Sequence, residues 1–330
     1  MEKTTATHVN SHSTTIGCSH IIEHCANLKA QEKVLIISDT TCKDVGNLFA
    51  ATARKIAPDA KHISIEPLTR HGEEPPGGVG EEMLVSDVVF CVTKMSLAHT
   101  MARWRASQKG MRFLSLPDYS LSLLSRPSIK VDFRNLKQKA DSLAEVLTNA
   151  KNIHVMSDKG TDISLSIDNR MSNSCSGWCS DPGCLASPPD AEVNIAPVEE
   201  LSNGIIVVDG SVPCPEIGLL KKDITLHIKQ GPITEVEGTE AEKIVQVLDR
   251  YHDPSARILA EIGIGLNPKA RLCGIMLEDE GCLGTVHFGF GSNATIGGGD
   301  KSTQHIDFIV KHVSLTADET LLIKDGKLQI

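Results

Sequence analysis

The sequence predicts two regions of different architecture: an α/β region with a parallel sheet, followed by a mainly antiparallel α+β region. In the first 133 residues, short β-branched runs alternate with segments of helical spacing. This alternation is typical of a parallel sheet that is covered by helices. From residue 134 onward, short apolar runs are separated by turn residues, which indicates antiparallel strands. We therefore predict two domains, 1–133 and 134–330.

The elements of the first region follow from its apolar spacing. β-Branched runs predict strands, and apolar positions three and four residues apart predict helices. The predicted strands are 34–37, 62–67 and 85–92, and the predicted helices are 44–56 and 97–109.

The second region begins with a predicted helix over 134–150, where apolar residues recur at helical spacing. Short strands follow, with turn sequences such as Asp-Lys-Gly and Gln-Gly-Pro between them. These strands are 153–156, 163–167, 205–208, 224–228 and 233–236, and a further helix is predicted at 240–251.

Composition narrows the function classes. The 330 residues carry a net charge of -9, which excludes a nucleic-acid or anionic membrane partner, since phosphate binding needs clustered Lys and Arg. The chain has no apolar run of membrane-spanning length. Residues 1–17 are polar, without the apolar core of a signal peptide, and we expect them to form a loose tail. We therefore expect a cytoplasmic protein whose ten cysteines are reduced thiols.

The motif His305-x-Asp307 is the first candidate for chemistry. It lies in TQHIDFIV, which reads as a strand. Residues i and i+2 of a strand share a face, so imidazole and carboxylate could bind one ion. A partly exposed strand end explains the pair equally well.

Four further residues could join such a site. Glu261 precedes Gly-x-Gly in EIGIGLNP, and Glu192 follows two prolines that stiffen its approach. His287 lies in the apolar strand sequence TVHFGFG, and Glu280 lies seven residues before it, across a turn. Each has an ordinary alternative: a turn or bulge at the glycines, an edge-strand charge, a core histidine and an exposed acidic turn.

Three cysteines, Cys175, Cys179 and Cys184, form a C-x3-C-x4-C run. A structural metal site needs a fourth ligand and usually C-x2-C pairs. We therefore interpret the run as a loop with three thiols.

Nucleophile and nucleotide motifs are missing from the sequence, which has no G-x-S-x-G, no P-loop and no H-E-x-x-H. The carboxylate and imidazole residues are therefore the one set of side chains that could together form a functional site.

Several ordered motifs carry a family resemblance. EIGIGLNP, LEDEGCLGTVHFGFGSN and IGGGDKSTQHID lie in the second region, with KGTDISLSI and PPDAEVNIAP upstream. The chain from about residue 85 onward resembles the metal-dependent aminopeptidases of the aminopeptidase T, or leucyl aminopeptidase-like, type.

That resemblance implies a hydrolase that cleaves an amide bond next to a free amino group through a metal-activated water. It implies two divalent ions per chain, of Zn, Co, Mn or Fe, and a homodimer that acts on a small peptide or amino-acid amide. The implied ligands are Glu192, Glu261, His287, His305 and Asp307. Glu280 matches an acidic family position and is implied to be the catalytic base or a carboxyl that supports the metal ligands.

The sequence departs from the peptidase pattern at one position that matters for chemistry. The peptidases carry a tyrosine where this chain has Ala294, so a phenol that could stabilise the tetrahedral intermediate is missing. The same superfamily resembles the 2,5-dihydroxypyridine dioxygenases, which hold one Fe(II) with two histidines and one carboxylate. Their first histidine falls where this chain has Glu261. A ring-cleaving dioxygenase and a metal-binding relative without peptidase activity are therefore the alternatives.

Overall fold

A computed structural model describes residues 11–329, with side chains from residue 12 onward. The chain divides into two compact units. Unit 1 comprises the described residues up to Arg134 together with Gly177–Pro188, and unit 2 comprises Asn135–Ser176 and the described residues from Pro189 onward. The short segment Gly177–Pro188 thus belongs to unit 1 although unit 2 flanks it on both sides, a crossing that no sequence feature indicated.

The helices of the described chain are mostly short. A π-helix, His20–Cys25, follows the first of them directly. The α-helices are α1 (Ser11–Ser19), α2 (Lys43–Ala53), α3 (Val79–Leu84), α4 (Met101–Ser107), α5 (Leu121–Leu124), α6 (Phe133–Asn149), α7 (Ala241–Leu248) and α8 (Met276–Asp279).

Strands make up most of the remaining regular structure. In chain order they are β1 (Val34–Asp39), β2 (Lys61–Ile65), β3 (Val88–Val92), β4 (Arg112–Ser115), β5 (Asn152–Met156), β6 (Asp162–Ser166), β7 (Asn173–Cys175), β8 (Leu185–Ala186), β9 (Glu192–Ile195), β10 (Asn203–Val208), β11 (Ser211–Val212), β12 (Gly218–Leu219), β13 (Ile224–Ile228), β14 (Ile233–Glu237), β15 (Leu259–Gly265), β16 (Thr285–Gly291), β17 (His305–Lys311), β18 (Ser314–Ala317), β19 (Thr320–Lys324) and β20 (Lys327–Leu328).

Unit 1 is built on a five-stranded parallel sheet in the order β2-β1-β3-β4-β8. Every residue of β1, β3 and β4 is buried, as expected for parallel strands covered on both faces. Helix α4 begins later than predicted because the Thr100 side chain caps it, accepting a hydrogen bond from Arg103 N at 3.2 Å.

Unit 2 contains two antiparallel sheets. The first has eight strands in the order β14-β13-β10-β6-β5-β18-β19-β20, and the second has seven in the order β12-β11-β17-β16-β15-β9-β7. In β5 and β6 buried residues alternate with exposed ones, because one face packs on the core. In β15 and β16 all seven residues are buried, so both faces of the second sheet are covered there.

The predicted fold class is confirmed: a parallel α/β region precedes a region of antiparallel sheets. The expected loose tail at residues 1–17 is wrong for its last part, since Ser11–Ser19 form α1, and residues 1–10 lie outside the described residues. Within the described chain, no helix combines the length and the apolar character needed to cross a membrane.

Candidate metal centre

Neighbouring strands of the seven-stranded sheet carry the predicted ligands. Glu192 begins β9, Glu261 lies in β15, His287 lies in β16, and His305 and Asp307 lie in β17. These strands are hydrogen-bonded in the order β9-β15-β16-β17, and their register places all five side chains on one sheet face. Residues more than a hundred positions apart in the sequence therefore become neighbours.

Glycines make room for the imidazoles on this face. Gly289 is the register partner of both Glu261 and Asp307. A Cβ added at Gly289 would lie 2.5 Å from His305 Nε2 and 2.9 Å from Asp307 Oδ1. The absence of a side chain at Gly289 therefore leaves the space that the His305 ring occupies.

Gly263 gives the same space to the second imidazole. It is the register partner of His287, and a Cβ at Gly263 would collide with that ring. The alternate residues Ile262 and Phe288 face the other way and are buried, as the two-residue period of a strand requires. The sequences EIGIG and HFGFG therefore build the site on one face and apolar core on the other.

The donor atoms form two groups of three that share Glu261. In the outer group, His305 Nε2 lies 3.1 Å from Glu261 Oε2 and 3.2 Å from Asp307 Oδ1. In the inner group, His287 Nε2 lies 3.1 Å from Glu192 Oε2 and 3.7 Å from Glu261 Oε1. Within each group, one donor atom from every residue lies within 4.8 Å of the others. Glu261 therefore directs one oxygen to each imidazole.

The two groups differ in their access to solvent. The His305 side chain is 30% exposed, whereas the His287 side chain is 1% exposed. The carboxylates of both groups are buried. An ion in the outer group can therefore keep an open coordination position, as a catalytic metal needs.

The two imidazoles also differ in their supporting hydrogen bonds. His305 Nδ1 lies 2.8 Å from the backbone carbonyl of Ser292. This acceptor fixes the proton on Nδ1 and leaves Nε2 for a metal. His287 Nδ1 is buried and has no hydrogen-bond partner in the described structure. In the inner group, Asn194 Nδ2 donates to Glu192 Oε1 at 2.6 Å, which fixes that carboxylate.

Two further carboxyls, Asp190 and Glu280, lie beside Glu192, and one oxygen from each of the three fits a single 4.8 Å group. Burial raises the pKa of Asp190 and of Glu280 well above the ordinary range, and nearby carboxylates raise both further. Glu280 is also hydrogen-bonded to Asp307. The proton-bound form of both carboxyls is therefore favoured relative to an exposed carboxyl.

Carboxylates set the charge state of the imidazoles. Burial alone lowers the pKa of His287 and of His305, but Glu192 beside the first and Asp307 beside the second outweigh it and raise both well above the ordinary value. Burial raises the pKa of Glu261, but the two histidines outweigh it and lower that pKa. Metal binding must displace the imidazole protons, so we expect it to release protons.

The residues fit a divalent transition-metal ion. Imidazole nitrogens and carboxylate oxygens suit Zn, Mn, Co and Fe. Three buried carboxylates, those of Glu192, Glu261 and Asp307, meet only two imidazoles on this face, an excess of negative charge that favours a cation. Glu192 Oε2 is buried and makes no well-aligned hydrogen bond among the described residues, although His287 Nε2 lies 3.1 Å away, so it can bind an ion together with that imidazole.

The structure adds three residues that the sequence analysis missed: Asp190, Asn194 and Ser292. The sequence did indicate Asn194, because it follows Glu192 by two residues in the short apolar segment after the two prolines and would share its face in a strand. Asp190 is also two residues from Glu192, but it lies just before the strand, where the two-residue period does not assign a face. Ser292 had no signal, since its proximity to His305 depends on chain segments that meet only in the folded sheet.

Comparison with known proteins decides the family. The family model for 2,5-dihydroxypyridine 5,6-dioxygenase, NicX, matches residues 15–330. The chain belongs to this family. Within the dioxygenase family, a 2,5-dihydroxypyridine 5,6-dioxygenase from Pseudomonas putida strain KT2440 is 25% identical over 261 residues, which cover 76% of this chain and 73% of that protein.

Solved structures show the same fold. The 2,5-dihydroxypyridine dioxygenase from Pseudomonas putida KT2440 matches with a TM-score of 0.80 at 20% identity, over 96% of each chain. Wild-type AmpT from Thermus thermophilus matches with a TM-score of 0.69 at 14% identity, over 97% of this chain and all of that chain. At these identities the structural likeness establishes the fold alone.

The expected hydrolase is therefore wrong, and so are its descriptions as an aminopeptidase, metalloprotease or protease. The match to the dioxygenase family overturns them. The error arose because imidazole and carboxylate ligands serve both hydrolysis and oxygen chemistry, so the donor set alone does not select the reaction. The protein is an enzyme of the dioxygenase family, and Ala294 was the feature that pointed away from a peptidase. The expected peptide or amino-acid amide substrate depended on the hydrolase reaction and is withdrawn with it. The expected homodimer stays a prediction.

Proposed function

We propose that this member of the dioxygenase family opens the ring of a dihydroxylated pyridine, with 2,5-dihydroxypyridine as the first substrate to test. The match of the family model to residues 15–330 carries the proposal. The curated relative at 25% identity bears the same activity in its name. The reaction would add both atoms of one O₂ molecule across the carbon–carbon bond between ring positions 5 and 6.

The outer group, Glu261, His305 and Asp307, would hold the iron. Its imidazole is the exposed member of the site, so substrate and oxygen can approach an ion there. Bound Fe(II) would supply electrons to dioxygen and act as a Lewis acid toward a ring hydroxyl. The outer group has one histidine and two carboxylates where a facial triad has two histidines and one carboxylate. The extra carboxylate supplies another anionic ligand to the cation.

The inner group, Glu192 and His287 with the shared Glu261, is the place for the second ion that the resemblance implied. It is deeper in the protein, since its imidazole is 1% exposed. An ion there has little open coordination space for a ring substrate. We therefore propose one catalytic iron in the outer group, with a weaker second ion in the inner group.

Protons would be handled by the carboxyls beside the metal ligands. Ring opening requires a hydroxyl proton to leave the substrate and a proton to reach the product. Burial and the carboxylates around it raise the pKa of Glu280, which is also hydrogen-bonded to Asp307, so its carboxyl is placed to exchange a proton next to the iron. This supports the prediction that Glu280 is the catalytic acid or base, now in ring cleavage.

Oxygen uptake tests the proposed reaction. Purified protein is loaded anaerobically with Fe(II), mixed with 2,5-dihydroxypyridine, and exposed to air-saturated buffer in an oxygen electrode. We expect one O₂ consumed per ring opened, with both atoms of ¹⁸O₂ in the product by mass spectrometry. Hydroquinone, which lacks the ring nitrogen, and 2-hydroxypyridine, which lacks the 5-hydroxyl, should be far poorer substrates. Iron-loaded protein that consumes no oxygen with 2,5-dihydroxypyridine would overturn the proposal.

Iron content per chain tests the ligand assignment and needs a surface control. His227, Glu235 and Glu237 on the β13–β14 hairpin form another group that could hold an ion. His227→Ala should keep full oxygen uptake, whereas Asp307→Asn should lose both bound iron and uptake. Full uptake by the Asp307→Asn variant would show that the ligands are assigned wrongly.

A further inference from the structure

Two thiols of unit 1 face each other in the inserted segment Gly177–Pro188. Cys179 Sγ and Cys184 Sγ lie 2.6 Å apart, roughly half an ångström beyond the length of a disulfide bond, about 2.05 Å. They are two of the three cysteines of the C-x3-C-x4-C run. The third, Cys175, belongs to β7 of unit 2, so the run divides into one separate thiol and one pair.

Backbone hydrogen bonds hold the pair in place. Cys179 N donates to the carbonyl of Cys25 at 2.8 Å, and Phe113 N donates to the carbonyl of Cys184 at 2.9 Å. Between the two cysteines the chain turns at Gly183, whose φ of +80° favours glycine. The thiols are therefore brought together by the fold, and a bond between them needs little movement of the backbone.

The two thiols differ in environment. Cys179 is fully buried, whereas Cys184 is half-buried. The hydrogen bond from Cys179 lowers the pKa of Cys184, and the Arg112 guanidinium lowers it further, although burial opposes both. Burial raises the pKa of Cys179. Cys184 is thus the accessible nucleophile and Cys179 the protected partner.

We propose that Cys179 and Cys184 are a redox modification site, which closes reversibly to a disulfide when the protein meets a small-molecule disulfide such as oxidised glutathione. The Cys184 thiolate attacks one sulfur of the reagent, forms a mixed disulfide and releases one glutathione thiolate. The Cys179 thiol then loses its proton and attacks the Cys184 sulfur, and the second glutathione leaves as a thiol. Two protein thiols are oxidised by two electrons, and one reagent disulfide is reduced to two thiols.

This inference stands apart from the proposed ring cleavage, because the pair lies in unit 1 and the candidate metal centre lies in unit 2. Mass spectrometry alone can detect the product of this thiol oxidation. Closing the bond removes two hydrogens and lowers the number of free thiols from the ten of the sequence to eight.

The experiment treats the folded full chain anaerobically with oxidised glutathione, blocks the remaining thiols with an alkylating agent, and maps peptides by mass spectrometry. We expect a Cys179–Cys184 disulfide that dithiothreitol reverses. Cys179→Ser should instead accumulate a stable mixed disulfide on Cys184, because no second thiol displaces the glutathione. Cys184→Ser should form neither product in this segment.

Cys214→Ser is the matched control, since Cys214 is another half-buried cysteine but lies in unit 2 and has a pKa raised by burial. This variant should form the disulfide at the wild-type rate. Circular dichroism establishes that each variant is folded. The proposal is overturned if Cys214 reacts before Cys184, or if Cys184 keeps the glutathione while Cys179 is present.

Discussion

Gly289→Ala tests the outer donor group without removing a ligand. Residue 289 lies in β16 as the register partner of Glu261 and Asp307. Its φ lies outside the left-handed region, so alanine adds no backbone strain. The substitution therefore adds one methyl group beside the His305 ring and changes nothing else in the site.

The size of the effect follows from the available space. The new Cβ would lie 2.5 Å from His305 Nε2, which is 0.9 Å short of the 3.4 Å at which ordinary contact begins. Metal–ligand distances tolerate changes of about 0.2 Å. We therefore expect Fe(II) affinity to fall about 10- to 100-fold and kcat/KM to fall about 100-fold. At about 1.36 kcal/mol per tenfold, the kinetic loss corresponds to roughly 2.7 kcal/mol.

Competition with a chelator measures the Fe(II) affinity of wild-type and variant protein, and oxygen uptake measures kcat/KM. Gly299→Ala is the matched control, because a Cβ there would meet only Glu199 Oε1 at 3.7 Å, an ordinary contact. The control should retain wild-type affinity and rate. If Gly289→Ala is folded and binds Fe(II) as tightly as wild type, then His305 Nε2 is not a metal ligand.

Three further outcomes are expected. His305→Gln should lose oxygen uptake at least about 1000-fold while keeping the wild-type melting temperature, and a variant within tenfold of wild type would contradict the assignment. Asp279→Ala should lower the free energy of unfolding by about 3 kcal/mol in urea titrations. The reason is that this fully buried carboxylate accepts hydrogen bonds from the Ser211 hydroxyl and two backbone N–H groups. An unchanged urea midpoint of unfolding would contradict this prediction. The pKa of Asp253 is lowered by hydrogen bonds from three hydroxyls and two backbone N–H groups, so its contribution to stability is fully present above the unfolded value, about 3.9, and is lost as pH falls through the folded value. Asp253→Asn should therefore cost more stability at pH 7 than near pH 3.5, and an equal cost at both would refute this.

The fold could be predicted because its local patterns are strong. Strand β1 begins with the continuous apolar run 34–37, and β5 and β6 alternate in burial, so period and composition indicated parallel and antiparallel sheets correctly. Helix ends were less predictable. The helix predicted over 97–109 is shorter because Thr100 caps it, and a threonine in an apolar segment gives only a weak boundary signal.

The candidate ligands were found through motifs, whereas their arrangement required the structure. That Gly289 lies between Glu261 and Asp307 is a matter of strand register across three segments, which local spacing does not encode. The approach of Ser292 to His305 likewise depends on the chain between β16 and β17. The catalysed reaction was the hardest feature to predict from the sequence, since identical donor types serve hydrolysis and oxygen chemistry.

The two imidazoles lead to a last prediction about metal occupancy. When a metal binds Nε2, the ring proton must lie on Nδ1. For His305 that proton meets the Ser292 carbonyl. For His287 it meets no acceptor in the described structure, so no hydrogen bond at Nδ1 orients that ring or raises its basicity toward a metal, an effect worth about 10- to 100-fold in metal affinity. The inner group should therefore bind its ion roughly 10- to 100-fold more weakly than the outer group.

Titration of metal-free protein with Co(II), followed by visible absorption, tests this order. We expect two phases of Co(II) binding. The first phase should restore substrate binding in the absence of oxygen, and it should disappear in Asp307→Asn. The second should disappear in His287→Gln, with the first unchanged. A first phase that is lost in His287→Gln and kept in Asp307→Asn would place the tighter ion in the inner group and show that the Nδ1 partners do not set the order of binding.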